Sequence, residues 1–266
     1  MPTRLACLPH PKPNSHKGEN GTVLILGGSE TYHGAPVLCA IAASRFCDLV
    51  YFSSTPENNA VARRMKTATP NVVVLPGNRL DSAIRRADCI LVGSGMDDDA
   101  VTRRAVERIL LAGKKCVLDA AAIRVAPLGL LHGKAIATPH AGEFAAAFGM
   151  KASKEAAINA SKKYGCAILL KGKEDIVAFR GKAAEIPGGN AGMTKGGTGD
   201  VLAGLCAALY AKCGSPFSAA CTASLVNKKA GGMLFHSVGF NFSSLDLANE
   251  LPFAAACLGN GKKSHG

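Results

Sequence analysis

The 266-residue chain has no tryptophan, and aromatic residues make up only 5% of it. Few rings are therefore available to stack on bases, which weighs against a nucleic-acid binder despite a formal net charge of +12. The Lys and Arg are scattered and form no long basic run. No stretch approaches the roughly 20 apolar residues of a membrane span. The start is polar and proline-rich, without the apolar core of a signal peptide. The ten cysteines form no C-x-x-C and no zinc-type spacing with histidine. Cys39, Cys89, Cys166 and Cys206 fall inside apolar segments, where a thiol acts as a small hydrophobe. These absences predict a reduced, cytoplasmic protein with no membrane and no nucleic-acid partner. Also missing are a G-x-x-x-x-G-K-[ST] loop, a G-x-G-x-x-G turn and a G-x-S-x-G elbow. The commonest ATPase, dehydrogenase and hydrolase signatures are thereby excluded.

What is present is an apolar fraction of 48% and 30 glycines. Short apolar runs at 22–26, 49–52, 72–75, 88–92, 115–119, 135–137 and 167–170 predict strands, several ending in glycine or a carboxylate. Helical spacing appears between them at 34–42, 98–112 and 153–164. Ile176 to Phe179 follows Leu170 closely enough for a hairpin. Alternation of this kind predicts an α/β fold, a mostly parallel central sheet covered by helices on both faces. No linker or repeat divides the chain, so residues 1–266 are expected to form a single domain with a frayed tail over 259–266.

The block from Gly189 to Gly204 organises the rest. Residues before Gly196 read as loop, and Val201, Leu202, Leu205 and Leu209 read as one helix. Gly197, Thr198 and Gly199 therefore sit at a helix start, where unpaired N–H groups and a partial positive charge suit an anion. Asp200 would repel a phosphate there unless it has another task, such as taking a proton from an attacking hydroxyl. Charge complementarity at the helix start is the competing role. His140 is either a ligand contact or a loop cap. Lys171 is either a phosphate contact or a solvated loop lysine, and Asp119 either a metal ligand or a strand-end turn. The metal ligands themselves are not readable from the sequence.

Several blocks together resemble the NAD(P)H-hydrate dehydratases, a branch of the ribokinase-like fold. Thr138-Pro139-His140-Ala141-Gly142-Glu143-Phe144 and Gly196-Gly197-Thr198-Gly199-Asp200-Val201-Leu202-Ala203-Gly204 carry most of the likeness. Val23 to Ser29, Tyr32 to Pro36, Gly93 to Met96, Val117 to Ala120 and Leu169 to Gly172 extend it. The resemblance implies dehydration of a hydrated nicotinamide cofactor, NAD(P)HX, driven by ADP or ATP with Mg²⁺. It implies Asp200 as base and Ala35, Gly95, His140 and Asp200 as substrate contacts. Lys171, Gly172, Lys173, Glu174, Asp175 and Gly199 would contact the adenine nucleotide, and Gly197, Thr198 and Gly199 would form the anion hole. It further implies a homo-oligomer and an NAD(P)HX epimerase on a separate protein. The chain departs from the family pattern at Ala121, where a second acid is expected, and at Ser94 and Asp97. A vitamin-precursor alcohol kinase of the same fold, and a non-catalytic nucleotide- or nucleic-acid-binding protein, are the alternatives.

Overall fold

The computed structural model describes residues 8, 11, 13–65, 69 and 71–260. Nine strands form one sheet in the order β3-β2-β1-β4-β5-β6-β7-β8-β9. They are β1 (Thr22–Leu26), β2 (Leu49–Ser53), β3 (Val72–Val74), β4 (Cys89–Val92), β5 (Lys115–Leu118), β6 (Ala135–Ala137), β7 (Ala167–Leu170), β8 (Asp175–Phe179) and β9 (Lys182–Ile186). Strands β1 to β7 pair in parallel, and β7-β8-β9 are antiparallel. Seven of the nine were expected within a residue or so and the β7–β8 hairpin as well. Strand β9 was not, because Lys182-Ala183-Ala184-Glu185 has weak strand propensity; its pairing with β8 supplies what propensity does not.

Alternate residues of each strand face opposite helical layers. Val23 and Ile25 join a core with α1 (Gly34–Ser44), α8 (Thr198–Lys212), α9 (Pro216–Val238) and α10 (Ser244–Asn260). Leu24, between them, joins the other core. That second layer contains α3 (Leu80–Arg86), α4 (Ala100–Leu111), α5 (Ala121–Val125), α6 (Ala141–Phe148) and α7 (Lys154–Tyr164). Helix α2 (Pro56–Arg64) follows β2 and is capped by Thr55. Helices thus cover both faces, as expected. Helix α10 was not expected, since Pro252 and Gly259 interrupt its pattern; it carries Gly259 and Asn260 within the predicted frayed tail, whose remainder, 261–266, lies outside the described residues.

The strand order reverses between β1 and β4, which opens a crevice at their carboxyl ends. Gly27 and Gly28 leave β1 there, and the Gly28 amide donates to the Ser94 carbonyl beyond β4 at 2.9 Å. Helix α8 runs from this edge, nearly enclosed between the sheet, α1 and α9. Gly204 is what admits it: a Cβ there would strike the backbone of Cys39 in α1. Among the described residues eight cysteines are free thiols, but Cys213 is disulfide-bonded, against the expectation of a fully reduced chain. No helix among the described residues is long and apolar enough to cross a membrane.

Candidate active site

A run of glycines starts α8. Gly197 caps it at φ 92°, a conformation that favours glycine, and a Cβ there would collide with Leu38 and Ser244. No side chain caps this helix start. The Thr198 hydroxyl is turned away, donating to the Met193 carbonyl at 2.6 Å. Thr198 and Gly199 border the cavity, whereas Gly197 sets the turn before them and is not among its lining residues; the Thr198 amide donates to the Lys195 carbonyl at 3.3 Å. Lys195 is not part of it, because its ammonium is bound by the Phe240 and Phe242 carbonyls.

Asp200, in the first turn, has its carboxyl pushed up to about 7. Burial is the main cause, with repulsion from Asp119 next, partly offset by Lys171 and a Ser94 hydrogen bond. A carboxyl poised near neutrality is what a general base needs.

Beneath it lies a buried charge network at the ends of β5, β6 and β7. Lys171 Nζ stands 3.0 Å from Asp119 Oδ1 and 3.8 Å from Glu143 Oε2. Burial acts against the Lys171 charge, but Asp119, Glu143 and Asp200 outweigh it and raise its pKa. Gly199 lies close by, since a Cβ on it would meet Lys171 Nζ at 3.4 Å. Lys171 is thus an enclosed cation at the helix start and not a solvated loop lysine. Asp119 accepts from Thr138 Oγ1 at 2.7 Å and, on its other oxygen, from Ser94 Oγ at 3.0 Å. The side chains that satisfy it include Ser94, one of the departures from the family pattern. With Lys171 also bound, Asp119 is engaged on both oxygens, the arrangement of the strand-end turn that was one of its two readings. Among the described residues no group of three or more His, Cys, Asp or Glu could hold an ion. The donor set does not fit a resident metal.

His140 caps α6. Its Nδ1 accepts from the Gly142 and Glu143 amides at 3.0 and 3.2 Å, while Glu143 Oε2 accepts from the His140 amide. This is a capping box with histidine in the usual Ser/Thr position. A neutral ring must then carry its proton on Nε2, which lies 3.5 Å from Glu143 Oε1. Arg124 closes the far side, bonding Glu143 at 3.2 Å and Asp98 through two nitrogens. The His140–Lys171 bridge continues the sheet past β6 and β7, so cap and lysine share one backbone platform.

A cavity of about 680 Å³ opens beside this platform. His140, Lys171, Gly172, Lys173, Asp175, Thr198 and Gly199 line it. Seven of the expected residues, from three separate segments, are thus gathered. Gly197 and Asp200 are not among the cavity's lining residues, and Glu174 lines a different hollow on the β9 side with Lys182 and Phe217. Asp175 is committed to the wall, accepting from the Gly172 amide at 3.0 Å and from Ser224 Oγ at 2.7 Å. Ala35 and Gly95 lie outside this cavity but adjoin one another: a Cβ on Gly95 would stand 3.0 Å from the Ala35 Cβ and 3.2 Å from that of Tyr32. They form a second flank, next to Ser94.

Lys228 and Asn227 are among the lining residues that the sequence did not point to. Lys228 of α9 is buried, bound to the Gly172, Lys173 and Gly188 carbonyls and 3.3 Å from Asp175 Oδ1. It ties the β7–β8 turn to the loop after β9. Asn227 beside it is also buried. The only signal was a polar pair inside an apolar helix, which Lys229 disguises as an exposed charged stripe.

Known proteins resemble the chain over most of its length. The family model described as NAD(P)H-hydrate dehydratase matches residues 23–252. The chain is 37% identical over 265 residues to the ADP-dependent (S)-NAD(P)H-hydrate dehydratase of Nitrosopumilus maritimus, covering 92% of this chain and 91% of that protein. Bifunctional NAD(P)H-hydrate repair enzymes also match, and this chain spans about half their length, 52% for that of Archaeoglobus fulgidus. A solved ribokinase-like superfamily protein from Enterococcus faecalis superposes with TM-score 0.86 at 22% identity, covering 96% of this chain and 93% of that one. The Bacillus subtilis ADP/ATP-dependent NAD(P)H-hydrate dehydratase co-crystallised with ATP/Mg²⁺ gives TM-score 0.83 at 24% identity, over 96% and 95% of the two chains. The fold is therefore ribokinase-like.

Proposed function

Because the chain belongs to the NAD(P)H-hydrate dehydratase family, we propose that it converts hydrated NADH or NADPH to the reduced cofactor at the expense of ADP. The observation that carries this reading is Asp200 at the start of α8, its carboxyl at about 7, beside an enclosed lysine and a ligand-sized cavity.

The nucleotide occupies the cavity, with its terminal phosphate at the α8 start and Lys171. The hydrated ring lies on the Ala35–Gly95 flank with His140 Nε2 in reach. Asp200 takes the proton of the ring hydroxyl as that oxygen bonds to phosphorus and the bond to the AMP leaving group breaks. Helix-start amides and Lys171 hold the charge that spreads over the transferred phosphoryl group. Loss of phosphate then breaks the ring C–O bond, a proton leaves the neighbouring carbon, and the double bond returns. The sum is hydrated cofactor plus ADP giving reduced cofactor, AMP and phosphate. Phosphate leaves far more readily than hydroxide, which is why a kinase fold suits a dehydration. Magnesium supplies charge neutralisation when it travels on phosphate oxygens and water, a mode that needs no protein cluster. The steps assigned to side chains here do not pass through it.

The remaining parts of the proposal are a cytoplasmic location, a homo-oligomer, and an epimerase activity that supplies the reactive epimer. The test of the activity is absorbance at 340 nm on mixing protein, hydrated NADH, Mg²⁺ and ADP, with ATP and no-nucleotide controls. A rise that depends on nucleotide is expected. A stable phosphorylated product with no rise would replace this reading with a small-molecule kinase.

A further inference from the structure

A buried amide borders the cavity with its oxygen unpaired. Asn227 is 4% exposed and lines the cavity, and its Oδ1 has no hydrogen-bond partner. Buried polar atoms are almost always satisfied, so an exception on a cavity-lining residue points to a group the ligand brings. The stretch of α9 around it is also held in place. Ser224, one turn earlier, donates to Asp175, and Lys228, the next residue, is bound by three carbonyls. One turn later the Gly231 carbonyl accepts from Asn190 Nδ2 at 2.8 Å, and Met193 packs on Gly231 itself.

The surfaces near Asn227 suit a planar ring better than a phosphate. Met193 and Leu202 are apolar, and the backbone at Gly188 and Gly189 is bare. The cation at the α8 start is Lys171, whereas the cation near Asn227, Lys228, is already spent on carbonyls and Asp175. A carboxamide offers a donor and an acceptor side by side, which matches the 6-amino group and N7 of adenine. Guanine and hypoxanthine present two acceptors on that edge, so one half of the carboxamide stays unpaired against them.

We propose that Asn227 reads the nucleobase, pairing with the 6-amino and N7 edge of adenine and making the cavity select adenine nucleotides over 6-oxopurine nucleotides. The proposal rests on the nucleotide-dependent reading above.

The test is isothermal titration of ADP and inosine diphosphate against the wild-type chain, Asn227→Leu and Asn227→Ser, with thermal unfolding of each variant. The serine variant keeps a small polar side chain should leucine not fold. The wild type is expected to prefer ADP by at least roughly tenfold, as a site built around a ligand amine rejects the analogue without it. Both substitutions should weaken ADP by about tenfold and leave inosine diphosphate within about twofold. An ADP preference that survives both substitutions, or a wild type that does not discriminate, overturns the assignment. The 340 nm assay run on the same wild-type preparation separates the two readings. Turnover with ADP alongside an unmoved preference removes Asn227 alone. A wild type that binds neither nucleotide removes the adenine reading together with the proposed function.

Discussion

Lys171 and Asp119 face each other across 3.0 Å directly beneath the α8 start, at the ends of two strands that are not neighbours in the sheet. The pair is almost shut off from water, so neither member can lose the other cheaply. It also biases Asp200: the carboxylate raises the carboxyl there and the ammonium lowers it.

Replacing Lys171 by Met should therefore do two things. It should destabilise the fold by roughly 3–5 kcal/mol through the unpaired Asp119. It should also move the acid limb of the kcat–pH profile upward, because the charge that favours ionised Asp200 is gone. A limb that stays in place would dissociate Lys171 from the base.

Asp200→Asn should abolish turnover while ADP still binds. Its stability signature is as distinctive. The carboxyl titrates at about 7 in the folded chain against an ordinary 3.8. The proton is held more tightly folded than unfolded, so its stabilising effect is complete below about pH 4 and is lost as pH rises through 7. Asparagine does not ionise and escapes that loss. The variant should melt higher than the wild type at pH 8, by an amount that shrinks toward pH 4, as differential scanning calorimetry would show.

His140 is both cap and proposed ligand contact, and two substitutions separate these roles. Asparagine can keep the cap, so His140→Asn should hold its stability, whereas His140→Ala should lose about 1 kcal/mol. Both should raise KM for the hydrated cofactor. If only the alanine variant changes, the residue is a cap and nothing more.

Gly204→Ala, one turn along α8 from Asp200, forces α8 away from α1, because the new methyl meets Cys39 backbone. A loss of about 1–3 kcal/mol is expected, readable as a lowered urea midpoint. An unchanged midpoint would show that the helix pair can separate freely.

The strand core was legible because four- and five-residue apolar runs such as Thr22–Leu26 and Ala167–Leu170 end at glycines or charged residues. The Gly196–Gly204 block announced a helix start, and that is where α8 begins. What could not be read was convergence. Nothing in the spacing tells that Lys171 lies under Gly199, or that the ring of His140 accepts amide hydrogens in place of a serine. Asp119 looked available to a metal because its three hydrogen-bond donors come from 94, 138 and 171, each remote in sequence. Lys228 was hidden by the opposite problem: beside Lys229 it reads as solvated, and only the turn carbonyls folded over it reveal a buried charge.

Helix α8 is made from residues 198–212, yet it covers strands completed more than a hundred residues earlier, β1 among them. A ribosome that has released only the first 190 residues has made most of the sheet but not α8, α9 or α10, leaving the face of Val23, Ile25 and Leu91 only partly shielded, by α1. During synthesis that apolar face is open to other nascent chains and to chaperones. The same helix carries the proposed base and the anion hole, so the interval before catalytic competence and the interval of greatest aggregation hazard end together.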